Sequence, residues 1–289
     1  MPRKLKLFLG PLILLITIVV FARYLSQHTY LLTQLSHTPL LTVLGLLALY
    51  AVWFFALVLV LRFSLYIYQK NMSAQENFLL NAYSSLVNFF GPGQSGPAVR
   101  GAYLKKRHGL RLRDYTFATL LYYAFYAVIS AFLLFVGSRP WWQTLAVVAL
   151  VGGGSYVALH WFGKRSRSEQ DRQGLTMTHL GLILAATALQ AVAQIAIYYV
   201  ELHNVNPHVS LAQAVTYTGA ANFALFVALT PGAIGIRESF LLFTQQLHHI
   251  GSANIVAANL IDRAVYIAFL GLLFVLIVTL HAKDKLHIK

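Results

Sequence analysis

The chain has 289 residues, of which 58% are hydrophobic and 10% are charged, whereas an average soluble domain has roughly 45–50% and about 25%. This composition excludes a water-soluble fold and predicts an all-α polytopic membrane protein. Cysteine is absent, which excludes disulfides, thiolate metal sites and cysteine nucleophiles.

Six apolar runs are each long enough, at about 1.5 Å per helical residue, to cross roughly 30 Å of hydrocarbon. In chain order they are Leu5–Ala22, Leu40–Leu61, Tyr115–Val136, Gln143–Phe162, His179–Val200 and Ile255–Leu280. The first run follows basic residues, as in a signal peptide, but no small-residue cleavage site comes after it, so we interpret it as a retained helix. Three shorter apolar segments are not assigned as full spans: Asn77–Phe90, Leu211–Leu229 and Glu238–Ile250.

The net charge of +14 would suggest nucleic-acid binding in a soluble protein, but the basic residues alternate between loops. Eighteen of the 22 lysines and arginines lie between Arg3 and Lys6, Arg62 and Arg113, Lys164 and Arg172, and Lys283 and Lys289. The basic-poor loops are Tyr24–Pro39, Gly137–Trp142 and Glu201–His208. By the positive-inside rule, both termini and the large basic loop are predicted to be cytoplasmic. We therefore expect no nucleic-acid partner, and a multi-pass protein of the bacterial cytoplasmic (inner) membrane.

Two helix-breaking motifs interrupt the apolar pattern at the ends of apolar segments. Residues 91–96 (GPGQSG) and 230–235 (TPGAIG) share the pattern Pro-Gly-x-x-Gly and lie 139 residues apart. A Pro-Gly pair removes a backbone donor and permits positive φ, so Pro92 and Pro231 each predict a broken helix, either re-entrant or crossing. Glu76 is expected to cap the first broken helix.

The spans that flank the two motifs recur with the same spacing. The offset from Leu40 to His179 and the offset from Tyr115 to Asn254 are both 139 residues. With six full spans and both termini inside, the two broken units have opposite orientations. We predict an inverted-topology repeat of about eight helices in one membrane domain, residues 1–289. Repeat A covers about 40–136 and repeat B about 179–280, with helices 5–22 and 143–162 outside the repeats.

The breaks predict a binding site. Irregular backbone cannot face lipid, because each unsatisfied amide there costs several kcal/mol, so the breaks are expected to line a wet cavity near the membrane midplane. If Pro97 and Ile236 begin helical turns, free amides together with Arg100 or Arg237 would favour a phosphate or carboxylate. Two alternatives remain open: Arg100 belongs to the cytoplasmic basic loop, and Arg237 forms a local ion pair with Glu238. The candidate headgroup-binding residues are Arg237, Glu238, Arg100, Gly93, Gly96, Gly232, Gly235, Asp262 and Arg263.

Polar residues inside other apolar runs extend this site. Asp262 and Arg263 lie in the last run, where ionisable side chains are costly and often functional. Adjacent helical positions point about 100° apart, so the two residues need separate partners, and Asp262 could pair with Arg237. The alternative is a structural bridge between helices. Gln190 and Gln194 share one helix face and either line a pathway or hydrogen-bond between helices.

Enzymatic motifs are not found. The sequence has no His-Glu-x-x-His, no Gly-x-Ser-x-Gly and no phosphate-binding loop, and its 11 histidines are scattered. We predict no catalytic residue, no metal site and no cofactor.

These motifs resemble the transmembrane region of lysylphosphatidylglycerol synthases, whose stand-alone members are flippase-like membrane proteins. The resemblance spans roughly Leu5 to Leu280. Asn88–Arg100 is similar to the family's Pro-Gly-x-x-Gly-x-x-x-Arg segment, and Pro231–Glu238 matches its Pro-Gly-x-x-Gly-x-Arg-Glu. Pro97 departs from the pattern, since a Gly-Glu step there would supply an acid, so any role of that acid is absent or moved.

The resemblance implies movement of aminoacylated or other anionic phospholipids between leaflets, with membrane lipids as partners. Archaeal relatives are fused to glycosyltransferases, which implies an alternative: a membrane scaffold or partner subunit for a separate synthase or glycosyltransferase. The soluble aminoacyl-transfer domain of the full-length synthases is not found in this sequence, so we expect no lipid synthesis by this chain alone. An intramembrane enzyme that acts on a lipid-linked substrate is the third alternative.

Overall fold

The computed structural model describes residues 36–91, 95–166, 175–226 and 236–286, together with a few isolated positions before residue 36. Within these ranges all regular secondary structure is helical, in ten helices. They are α1 (Leu40–Tyr66), α2 (Ala74–Phe90), α3 (Ser95–His108), α4 (Leu112–Val136), α5 (Trp141–Ser166), α6 (Met177–Val205), α7 (Leu211–Phe226), α8 (Ile236–Phe243), α9 (Gln245–His248) and α10 (Ser252–Leu286).

Five of the described helices are long and apolar enough to cross a membrane: α1, α4, α5, α6 and α10. The chain is therefore a polytopic membrane protein, as its composition predicts. The first predicted span, Leu5–Ala22, lies outside the described residues, so the count of six spans and the location of the termini stay predictions. The described part has ten helices rather than about eight, because each predicted broken unit contains two or more separate helices.

The first broken unit is an antiparallel hairpin of α2 and α3. Ser95 Oγ donates to Val87 O at 2.8 Å near the turn, and Tyr103 Oη donates to Glu76 Oε1 at 2.6 Å far from it. Ser73 caps α2, because its hydroxyl accepts from the Glu76 amide. The expectation that Glu76 caps this helix is therefore wrong: its carboxylate bonds across the hairpin to α3.

Glycine allows the two helices of this hairpin to approach each other. A methyl group added at Gly96 would lie 2.7 Å from Ser84 O and 2.9 Å from Asn88 Cβ. One added at Gly91 would lie 2.6 Å from Val87 O. Any larger residue would force the hairpin apart.

The second broken unit, α7 to α9, also folds back on itself. Gln213 Nε2 near the start of α7 donates to His249 O at 3.3 Å, and the Tyr217 and His248 rings lie 5.4 Å apart. This hairpin packs against α4: a methyl group added at Gly219 would lie 2.3 Å from the Leu134 backbone nitrogen. The backbones of α7 and α4 are therefore in direct contact.

The long helices hold the two hairpins together. α1 packs along α6 at the centre of the bundle, and α10 packs against α6 and α2. The largest buried apolar cluster joins α1, α2, α6, α7 and α10. This arrangement places both hairpins around one central space.

Candidate functional site

A cavity of about 240 Å³ lies within the helix bundle, and both hairpins contribute to its wall. Eight of the ten described helices line it; α5 and α9 do not. Nine of its 22 lining residues are aromatic, and the charged ones are Arg100, Arg237, Asp262 and Arg263. The structure thus brings four of the sequence-predicted site residues together.

The arginine of the second hairpin, Arg237, is paired inside the bundle. Its Nη1 donates to Asp262 Oδ2 at 2.5 Å, and both side chains are buried. The hydroxyl of Tyr50 donates to the other oxygen of Asp262, and the Arg237 guanidinium lies 5.1 Å from the centre of the Tyr198 ring. The predicted pair of Arg237 and Asp262 is confirmed. Nε and Nη2 of Arg237 are buried and meet no acceptor among the described residues.

A second ion pair lies one residue further along both helices. Arg263 donates to Glu238 Oε1 through Nε at 3.0 Å and also through Nη2. The prediction that Asp262 and Arg263 have separate partners is confirmed. Glu238 therefore pairs with Arg263 rather than locally with Arg237, and the two pairs join α8 to α10.

Arg100, from the first hairpin, has a different environment. Its Nη1 donates to Asn81 Oδ1 at 3.2 Å, and its Nε is buried without an acceptor among the described residues. Arg100 lines the cavity, whereas Lys105, Lys106 and Arg107 are exposed further along α3. The described part of the chain offers Arg100 no carboxylate within ion-pair distance. Of the two interpretations of Arg100, the structure favours the cavity residue over the surface residue.

Two matched hydrogen bonds join α4 to α6 along the cavity wall. Tyr122 Oη donates to Gln190 Oε1, and Tyr126 Oη donates to Gln194 Oε1, both at 2.8 Å. All four residues line the cavity. The two glutamines therefore do both things that the sequence left open: they bond between helices and line a polar space.

The predicted helix-start amides are only partly described. Gly96 is buried and its N–H donates to Asn88 Oδ1 at 3.2 Å, so this amide already has an acceptor inside the hairpin. α3 begins at Ser95, two residues before Pro97, and α8 begins at Ile236 as predicted. The remaining predicted residues, Pro92, Gly93, Pro231, Gly232 and Gly235, lie outside the described residues.

Sequence reasoning missed Glu201. It was assigned to a basic-poor loop, but α6 continues to Val205, and Glu201 is 1% exposed. Its Oε1 meets no donor among the described residues, and its carboxyl group lies within hydrogen-bonding reach of Asp262. Tyr198 three residues earlier lies on the same helix face, which was the available signal. Within the described ranges, no cluster of three histidine or acidic side chains could hold a metal ion.

Comparison with known proteins places this geometry in a family. The family model described as the lysylphosphatidylglycerol synthase TM region matches residues 7–273, which is most of the chain. No curated protein and no solved structure matches the chain.

Proposed function

This chain belongs to the lysylphosphatidylglycerol synthase TM-region family, and we propose that it is a lipid translocase for a phospholipid or lipid-linked molecule with an anionic headgroup. The headgroup enters the cavity between the two hairpins, and the acyl chains stay in the surrounding lipid. The observation that carries this proposal is the environment of Arg100.

Arg100 presents a cation to the cavity without a carboxylate partner among the described residues. Removing a charge from water is costly unless an opposite charge or good hydrogen bonds compensate. Asn81 supplies one neutral acceptor, and the buried Nε has none. A phosphate oxygen at this position would satisfy the free N–H and neutralise the charge, at about 1.5–3 kcal/mol for a charged hydrogen bond.

Arg237 and Arg263 add donors to the same site. Each is already neutralised by a carboxylate, yet Arg237 Nη2 and Arg263 Nη1 are buried without an acceptor among the described residues. These groups favour an anion through hydrogen bonds rather than through net charge. The recognition of charge therefore rests on Arg100, with the other two arginines as additional donors.

The size and walls of the cavity fit a headgroup rather than a whole lipid. Its volume of about 240 Å³ is below the range of roughly 300–1,000 Å³ for pockets that enclose drug-sized ligands. The aromatic wall is compatible with the apolar glycerol region next to a phosphate. This supports partial entry of the lipid, with only the polar end held by protein.

The helix bounds support the proposal that the two halves form an inverted repeat. α1 to α4 begin at residues 40, 74, 95 and 112, and α6, α7, α8 and α10 begin at 177, 211, 236 and 252. The differences, 137 to 141 residues, all lie within two of the 139-residue spacing of the motifs. In such a protein, rocking of one half against the other would open the cavity alternately to each leaflet. We propose that both termini are cytoplasmic.

The test is lipid movement in proteoliposomes with headgroup-labelled anionic and zwitterionic lipids. We expect rapid movement of the anionic lipid by the wild type and a loss of roughly tenfold or more for Arg100→Gln, since one charged hydrogen bond is removed. Arg113→Gln is the matched control, because it removes the same charge from an exposed position outside the cavity. Movement no faster than in protein-free vesicles, with and without a pH gradient, would contradict the translocase.

A second function, a partner subunit for a separate synthase or glycosyltransferase, is favoured by one surface. Lys105, Lys106 and Arg107 are exposed together at the end of α3, and Arg111 and Arg113 are exposed just beyond it. If lipid movement fails, we expect this basic surface to be required for co-purification with a synthase encoded nearby, and a charge-neutralised variant to lose it.

A further inference from the structure

The proposed function does not use the buried carboxyl group of Glu201. This residue lies on α6, is 1% exposed, and its Oε1 meets no donor among the described residues. A buried ionised carboxylate without a partner is among the most costly groups in a protein interior. A proton on Glu201 removes that cost.

The neighbour of Glu201 requires the same conclusion. The carboxyl groups of Glu201 and Asp262 lie within hydrogen-bonding reach of each other. Two ionised carboxylates have only acceptor atoms, so a hydrogen bond between them needs a proton on one of the two. Asp262 also accepts from Tyr50 and Arg237, and these bonds favour its ionised form.

Every helix packed around the pair contributes a polar group. Tyr50 comes from α1, Tyr198 from α6 beside Glu201, Tyr217 from α7, and Arg237 from α8. On α10, Tyr266 faces Asp262. Among these described neighbours the single permanent charge is that of Arg237. One proton on the carboxyl pair makes the group of three electrically neutral.

We propose that Glu201 and Asp262 form a proton-binding pair linked to the anion site. Without ligand the pair holds one proton, and Asp262 occupies Arg237. An anionic headgroup that binds Arg237 displaces Asp262, whose released carboxylate takes up a second proton from water. No covalent bond changes other than this O–H bond, and one negative charge and one proton enter together.

This inference rests on the proposed anion site and adds its energy source. Because anion binding takes up a proton, binding strengthens as pH falls through the range in which the pair titrates. For one proton the limit is about tenfold per pH unit. A proton gradient could then drive the lipid against its own gradient.

The resident proton is tested first, without any ligand. Infrared spectra of the purified full chain at neutral pH should contain a carboxylic acid C=O band that Glu201→Gln removes. The glutamine amide still donates to Asp262, so this variant keeps the hydrogen bond and loses only the proton. Asp114→Asn is the control, since Asp114 is buried but accepts from Arg111 at 2.7 and 3.1 Å, and it should leave the band unchanged. A band that Glu201→Gln does not alter overturns the proposal.

The linkage is tested with dimethyl phosphate, a phosphodiester that does not titrate near neutral pH. Adding it to the wild type in weakly buffered detergent solution should cause uptake of about one proton per bound diester, the number set by one displaced carboxylate. Asp262→Asn should bind the diester without proton uptake. Absence of uptake by the wild type overturns the linkage. Correct proton behaviour without lipid movement in proteoliposomes would overturn the translocase and leave the proton-binding pair.

Discussion

The two hairpins hold their arginines in opposite ways. In α2–α3, Arg100 bonds to the neutral amide of Asn81. In α7–α9, Arg237 and Glu238 each form an ion pair with α10. The second hairpin is therefore attached to the last long helix through charges, while the first keeps an arginine whose charge no described carboxylate neutralises. The comparison teaches that one hairpin can serve mainly for anchoring and the other for recognition.

This difference lies in residue identity rather than in spacing. At the 139-residue offset, Asp262 and Arg263 correspond to Tyr123 and Ala124. Arg237 and Glu238 correspond likewise to the uncharged residues at 98 and 99. The two halves share helix positions, but the second half alone carries the paired charges at these positions.

The largest expected effect comes from breaking the anchor. Arg237→Ala leaves Asp262 buried without its cationic partner, so we expect a loss of about 3–5 kcal/mol of stability. Replacing both residues together, as Arg237→Met with Asp262→Leu, should recover most of that loss. Thermal unfolding in detergent measures both variants. Losses that simply add in the double variant would contradict the anchoring role of the pair.

A smaller effect should come from the glycines at which the hairpins are packed. Gly219→Ala places a methyl group against the Leu134 backbone, which cannot rotate away, and we expect a loss of about 1–3 kcal/mol. Gly96→Ala should cost less, because part of its contact is the Asn88 side chain. Gly153→Ala is the control, since nothing lies within 4 Å of the added methyl group, and it should be neutral or slightly stabilising. Equal unfolding temperatures for the variants at Gly219 and Gly153 would contradict the close contact.

The smallest expected effect concerns the wall that both hairpins share. Tyr122→Phe removes the donor to Gln190 and should cost about 0.5–1.5 kcal/mol of stability. Tyr156→Phe, at an exposed position on α5, should cost nothing measurable. Chemical unfolding of the two variants side by side tests this. A loss that is the same for both would mean that the bond between α4 and α6 contributes no net stability.

Several parts of the site were predictable because they depend on neighbours in the sequence. The charges of Asp262 and Arg263 in an apolar run indicated buried partners, and the spacing of Gln190 and Gln194 placed both on one helix face. Glu201 was missed because the end of an apolar run is a poor marker for the end of a helix: α6 extends five residues beyond the run. Arg100 was ambiguous because it belongs both to the broken unit and to the basic segment that follows it.

The sequence by itself determined the membrane class, the helical structure and the two breaks. Each of these follows from local hydropathy or from the backbone chemistry of proline and glycine. Only the tertiary structure decided which polar groups meet. The bond from Tyr50 to Asp262 joins residues 212 positions apart, and the contact of Glu201 with Asp262 depends on how α6 and α10 are rotated against each other. Such pairings arise from the packing of whole helices, which no local pattern of residues specifies.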